Sequence, residues 1–273
     1  MSSSEPTQPL VLYSVEGKVA TITLNRPEKR NALTRQLWVE FDKILSQAED
    51  DPDTRVIILT GAGPSFCSGA DLAGDEDPTS SYTWFTHNQR HHRRQFRIWD
   101  SQKIWIAAVD GYALGRGCEI ALWCDIVVAA EDSHLGLPEI RQAGVLHSVI
   151  PWISPIQKAK LFMIEGNTLS ARDAEDLGIV TKVVEAGGAR REAAKLAKRL
   201  AHIPALAAQS IKKMVNGVYE AKGFRDQQQL GIGSSSFNAA LPPEERGIAE
   251  LTRVGKEQGF KAWLAFRDAP FKG

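Results

Sequence analysis

Apolar and polar residues alternate along VATITL, with Ala20, Ile22 and Leu24 on one side and Val19, Thr21 and Thr23 on the other. A period of two predicts a strand with one face on a core. The preceding LVLYSVE, joined through a Glu-Gly-Lys turn, predicts its hairpin partner, and Pro27 ends the pair. The period then lengthens. Leu33, Leu37, Phe41, Ile44 and Ala48 recur at helical spacing, predicting a helix through NALTRQLWVEFDKILSQAEDD with Asn31 as its N-cap. RVIILTGAG, IWIAAVDG and DIVVAAE are short, continuously apolar runs, the pattern of strands covered on both faces. CEIALWC between the last two predicts a short helix. Further on, Ser170 and Asp173 form a capping box, Gly178 closes that helix, and a strand follows.

Strands alternating with helices predict an α/β protein with a covered sheet. From about Arg190 the pattern changes. RREAAKLAKRLAHI, ALAAQSIKKMVNGVY and RGIAELTRVGKEQGFKAWLAFRD are helical, with no strand between them. Such a region must pack on the core, on another subunit, or on both. Residues 1–9 are polar and rich in Ser and Pro and predict a disordered tail. The division expected is a tail (1–9), an α/β core (10–190) and a helical C-terminal region (191–273) suited to oligomerisation.

Composition narrows the function classes. The 273 residues are 43% hydrophobic and 24% charged, with a formal net charge of +0. No global field favours nucleic acid or a membrane surface, although a local basic patch suffices for a small anion. Cys67, Cys118 and Cys124 have neither zinc-ligand nor disulfide spacing. That odd count, with no secretory leader and no long apolar run, points to a reducing, cytoplasmic setting.

WFTHNQRHHRRQFRIW, from Trp84 to Trp99, holds four arginines and three histidines. His87 and His91 are one helical turn apart, but no third ligand stands in register, so no metal site is expected. The run predicts an amphipathic helix with Trp84, Phe85, Phe96, Ile98 and Trp99 on its buried side. RNA binding through the basic face is the alternative.

Two stretches share a strand, a glycine-bearing turn and an expected helix start: ILTGAGPSFCSGADL and AAVDGYALGRGCEIAL. Unpaired N–H groups at two helix starts aimed at one point would hold an oxyanion. Packing turns of no chemical consequence have the same appearance. Glu119 follows the second turn, and Glu139 comes later, in HLGLPEIRQAG. Two carboxylates beside one water can divide acid and base duties; taken separately, each reads equally as a helix cap or a surface charge.

These motifs in this order resemble the crotonase (enoyl-CoA hydratase/isomerase) superfamily. The resemblance rests on LNRPEKRNAL, LTGAGPSFCSGADL, IAAVDGYALGRGCEIALWCDIVVAAEDSHLGLPEI, GNTLSARDAEDLGIVTKVV and the C-terminal GFKAWLAF. It implies a spiral of ββα units with a helical C-terminal region that builds homotrimers or dimers of trimers. It also implies backbone N–H groups of Ala70 and Arg116 as the oxyanion hole, and Glu119 and Glu139 as the catalytic pair that hydrates the 2,3 double bond of an enoyl-CoA. Arg26, Lys29 and Arg30 would meet the CoA phosphates, and Ala70, Asp71, Leu72 and Ala73 would line the pantetheine and adenine end. No metal or other cofactor is implied. Isomerisation through Glu139 and thioester hydrolysis belong to the same fold, and a non-catalytic acyl-CoA- or RNA-binding protein is the alternative from another class.

Two departures from the family pattern bear on this. Gly115-Arg116-Gly117 stands where three glycines are usual, and the plainest placement for the Arg116 side chain is outward, toward solvent. IRQAGVLHSVIPWISPIQKAK replaces the usual glycine-rich loop after Glu139, leaving acyl specificity and reaction subtype open.

Overall fold

The hairpin forms as the alternation predicts. β1 (Val11–Glu16) pairs antiparallel with β2 (Val19–Leu24), Tyr13 opposite Ile22. The structure, a computed structural model, describes residues 8–72, 81–144 and 148–271. After β2 come a 3₁₀ turn (Pro27–Lys29), α1 (Arg35–Asp50), β3 (Val56–Gly61), α2 (Ser81–Asp100) and β4 (Ile104–Val109). Next are β5 (Tyr112–Leu114), α3 (Arg116–Leu122), β6 (Ile126–Ala130), β7 (His134–Gly136) and a 3₁₀ turn (Pro138–Gln142). α4 (Ile150–Ile153), α5 (Ile156–Glu165), β8 (Thr168–Ser170), α6 (Ala171–Asp176) and β9 (Lys182–Val184) complete the mixed part. The rest is helical: α7 (Ala189–Leu200), α8 (Ala205–Ala221), α9 (Phe224–Ala240), α10 (Ala249–Gln258) and α11 (Phe260–Asp268).

One sheet has the order β1-β2-β3-β4-β6-β9, parallel after the first pair. Both of its faces are buried, which explains the unbroken apolar runs. Ala20, Ile22, Leu24, Ile57, Leu59, Ala107, Val109, Val127 and Ala129 face the larger core with Leu37, Phe41 and Leu45 of α1. The alternate residues Val19, Val56, Ile58, Ile106, Ala108 and Val128 face α7. That helix presents Ala189, Ala193 and Ala197 at four-residue spacing, so its backbone approaches the sheet closely. A smaller sheet, β5-β7-β8, stands apart and carries the two glycine turns toward the site.

Three expectations are corrected here. Asn31 is not the cap of α1; Thr34 is, its hydroxyl accepting from the Leu37 N–H at 3.2 Å. Asn31 instead lies in the left-handed region (φ 57°), fully buried, with its amide nitrogen donating to the carbonyls of Ala62, Ser65 and Phe66. It fastens the first motif to the loop after β3. Second, the C-terminal stretch is broken at Gly259 (φ 82°), so α10 and α11 are separate helices. Third, α2 does not bury the face expected of it. Phe96 and Ile98 are buried, but Trp84, Phe85 and Trp99 are only partly covered. The inward stripe is Asn88, His91, His92 and Gln95, at spacings of three, one and three residues, and all four are buried.

The basic face of α2 is spent on holding the helix in place. Arg94 forms two 2.7 Å bonds to Asp42 of α1 and lies over the Trp38 ring, while Arg97 donates to Ser46. His87 and His91 meet nitrogen to nitrogen at 3.1 Å within an aromatic group that includes Trp84 and Trp38. Burial pushes His92 down to about 4, so it packs on Phe96 as a neutral ring. Among the described residues no set of three His, Cys, Asp or Glu side chains is placed to hold a metal ion, and no helix is long and apolar enough to cross a membrane.

Candidate active site

The two glycine turns come together through a short parallel pairing. Cys67 N–H donates to Tyr112 O at 2.9 Å and Leu114 N–H donates to Cys67 O at 2.9 Å, making Cys67 and Ala113 partners. Two residues on, Gly69 lies against Leu114 and the start of α3. A Cβ on Gly69 would indeed stand 3.5 Å from the Arg116 nitrogen. On its other edge this segment pairs with Leu33, whose N–H donates to Gly69 O and whose carbonyl accepts from Asp71 N–H. In such a parallel bridge the Ala70 N–H points away from Leu33. Among the described residues, neither the Ala70 nor the Arg116 N–H donates to a backbone acceptor.

Only the second turn opens a helix here. Arg116 begins α3, with Gly115 (φ 53°) before it. Ala70 and Asp71 are extended because Leu33 pairs with them, and α2 starts at Ser81. Ala73 lies outside the described residues.

Glu119 sits one turn into α3 and is 1% exposed. Glu139 belongs to the 3₁₀ turn after β7, and its carboxyl lies against Gly115 so closely that any Cβ there would fall inside it. Gly117 is equally constrained, since a Cβ would meet Cys67 O at 2.5 Å. The charge of Glu139 reaches Glu119. Burial drives Glu119 up to about 8, with the Glu139 charge adding to the rise; Ser148, Arg116 and Gln95 pull it partly back. Burial drives Glu139 up to about 7, against the pull of its own backbone N–H, Arg116 and Arg267. Glu119 Oε1 and Glu139 Oε2 are enclosed and have no hydrogen-bond partner among the described residues. Gln95 Nε2 approaches Glu119 Oε2 at a long 3.4 Å.

Arg116 corrects the outward placement expected of it. The side chain is 8% exposed and points inward, Nη2 donating to Asn88 Oδ1 at 2.5 Å. Its orientation follows from α3: with Gly115 and Gly117 packed against Glu139 and Cys67, the arginine leaves the turn toward α2. The charges of Glu119 and Glu139 oppose the lowering of its pKa by burial.

The other expected binding residues divide. Arg26 is engaged inside the fold, bonding Asp71 Oδ2 at 3.0 Å and Ala32 O at 2.7 Å, and so braces the Ala70 segment. Lys29 and Arg30 are exposed at the neighbouring 3₁₀ turn, and Leu72 is 51% exposed. Asn88, Gln95 and Ser148 were not anticipated from the sequence. For Asn88 and Gln95 the signal was a polar stripe at helical spacing along α2; Ser148, outside any such pattern, had none. Cys67 and Cys118 line the turns, but burial raises both thiols far above neutrality, leaving them inert.

Known proteins are similar to this chain in sequence and fold. The enoyl-CoA hydratase/isomerase family profile matches residues 14–245. A probable mitochondrial enoyl-CoA hydratase of Dictyostelium discoideum is 37% identical over 225 residues, covering 79% of each chain. A probable enoyl-CoA hydratase of Mycobacterium bovis is 34% identical over 252 residues, 88% of this chain and 93% of its own. The crystal structure of an enoyl-CoA hydratase/isomerase from Xanthobacter autotrophicus Py2 superposes with a TM-score of 0.91 at 30% identity, covering 98% of this chain and all of that one. By sequence across most of its length, and by fold across nearly all of it, this chain is a member of the enoyl-CoA hydratase/isomerase (crotonase) family.

Proposed function

We propose that the protein is an enoyl-CoA hydratase. One observation carries the reading: two buried glutamyl carboxyls, the charge of Glu139 reaching Glu119, stand with the Arg116 N–H at the turn against which the Gly69–Ala70 segment packs. Hydration needs that set. Water oxygen attacks C3 while one carboxylate takes its proton. Negative charge moves through C2 to the thioester oxygen, where two fixed N–H donors hold it. A carboxylic acid then protonates C2, giving the 3-hydroxyacyl thioester. Protons move and electrons do not leave the substrate, so this reaction calls for no cofactor beyond the CoA of the substrate. One oxyanion donor is worth about 3 kcal/mol, roughly a hundredfold in rate.

The raised pKa values suit the division of labour. With groups titrating near 7 and 8, the pair holds one shared proton around neutrality, one member acid and the other base. On this reading Lys29 and Arg30, exposed at the 3₁₀ turn, would meet the CoA phosphates, and Ala70, Asp71 and Leu72 would line the pantetheine, with Arg26 bracing that segment through Asp71. Exposed Ile211, Met214, Val215 and Val218 on α8 and Leu230 and Phe237 on α9 support assembly into trimers or dimers of trimers.

Crotonyl-CoA and longer 2-enoyl-CoAs test the reading through loss of the conjugated thioester absorbance. Turnover is expected. CoA esters that bind at every chain length without being hydrated would overturn it. Glu119→Ala separates hydration, which it should abolish, from an isomerisation resting on Glu139.

A further inference from the structure

Hydration of a plain hydrocarbon chain leaves the Arg116 side chain unexplained. It is buried, and a guanidinium stays charged at any working pH. Nη2 is held by Asn88, but Nη1 is enclosed and has no acceptor among the described residues. Neither glutamate closes an ion pair with it. The anchor is itself anchored: Asn88 Nδ2 faces the hydroxyls of Ser236 at 3.1 Å and Ser235 at 3.4 Å on α9, and Ser236 donates onward to Ile232 O. This fixes Asn88 with its carbonyl oxygen toward the arginine, so the guanidinium is gripped along one edge and its other nitrogen is left open. A buried cation with an open fork is costly unless an anion completes it.

Its surroundings point the same way. The α2 side chains that meet Arg116 and Glu119 are Asn88 and Gln95, both buried, where an alkyl chain would call for apolar side chains. Because the backbone of Arg116 is the proposed oxyanion donor, its side chain starts at the thioester end of the acyl site. We infer that the acyl group carries a carboxylate, seated on the open edge of Arg116, so that the substrate is a CoA monothioester of an unsaturated dicarboxylic acid. This rests on the acyl-thioester reading above and narrows its substrate class.

The test uses pairs of equal length: fumaryl-, glutaconyl- and 2-hexenedioyl-CoA, each against the neutral 2-enoyl-CoA of the same carbon number. The wild-type protein should favour at least one carboxylated member by tenfold or more in kcat/KM, mainly through KM. Arg116→Met should collapse that ratio, whatever it does to the neutral substrate, and Arg116→Lys should restore part of it. Calorimetric binding of saturated pairs, such as glutaryl- and pentanoyl-CoA, reads the same selectivity without catalysis. Selective binding with no hydration would sink the hydratase reading and sustain this one. Hydration with a preference for the neutral partner at all three lengths would overturn this one alone. So would an Arg116→Met protein whose rates on both members of a pair fall equally, since the arginine would then serve only the glutamates. Selectivity in the wild-type chain is measurable even if a variant fails to fold.

Discussion

Two buried cations in this protein have opposite surroundings. Lys212 of α8 is 8% exposed, and its ammonium meets Ile98 O at 2.9 Å, Lys103 O at 3.1 Å and Asp125 Oδ2 at 2.9 Å. Three donors find three acceptors, and Asp125 is held in turn by the Trp105 N–H at 2.7 Å. Arg116 is as deeply buried, yet it and the two glutamates beside it leave enclosed atoms unpaired. The satisfied cluster ties a C-terminal helix to the strand layer. The unsatisfied one has a demand that a substrate can meet. Burial and charge are alike in the two clusters, and hydrogen bonding is where they differ.

Substitutions sharpen the contrast, beginning with the largest effect. Glu119→Gln and Glu139→Gln should each lower kcat on crotonyl-CoA by about a thousandfold, since each removes an acid–base group; steady-state assays of folded protein would show it. Gly115→Ala should cost about a hundredfold or more, because the new Cβ displaces the Glu139 carboxyl from a turn that already holds a positive φ. Lys212→Met should leave the chemistry alone and lower stability by about 3 kcal/mol in urea titration, as expected when one member of a buried pair is removed.

Glu119→Gln should move stability the other way. The folded chain binds the Glu119 proton more tightly than the unfolded chain does. That contribution is full below the unfolded value of 4.5 and is lost as pH rises through about 8. Glutamine removes this decline, so melting curves on either side of pH 8 should differ less in the variant than in the wild-type protein. The smallest effect is on the rate profile. kcat/KM should be bell-shaped, falling below about 7 where both acids are protonated and above about 8 where both are ionised. Arg116→Met, by removing a cation that favours the ionised forms, should carry both limbs to higher pH.

Much of this organisation could be read before any coordinates. The strands were legible because the sheet is covered on both faces and leaves no polar interruption, and the Ser170 box because capping is local. Glu119 and Glu139 could be named only through ordered motifs; their approach depends on β5 and β7 pairing across a turn, which no local pattern encodes. Asn31 misled because asparagine serves both caps and left-handed turns, and Thr34, three residues before Leu37, held the better claim. In α2 the aromatics drew the eye, while burial was decided by polar partners distant in sequence, Arg116 and the two serines of α9.

The glycine turn has a consequence for how this protein can change. Positions 115 and 117 are closed to any side chain by Glu139 and Cys67, whereas 116 carries a side chain toward α2 and, on the proposed reading, the backbone N–H that serves the oxyanion. One codon can thus be varied freely in side chain with the same N–H left in place. A library confined to that codon would vary acyl specificity, and with it the titration of the two glutamates, while keeping the same backbone N–H, making residue 116 the natural point from which relatives, or an engineer, would diverge.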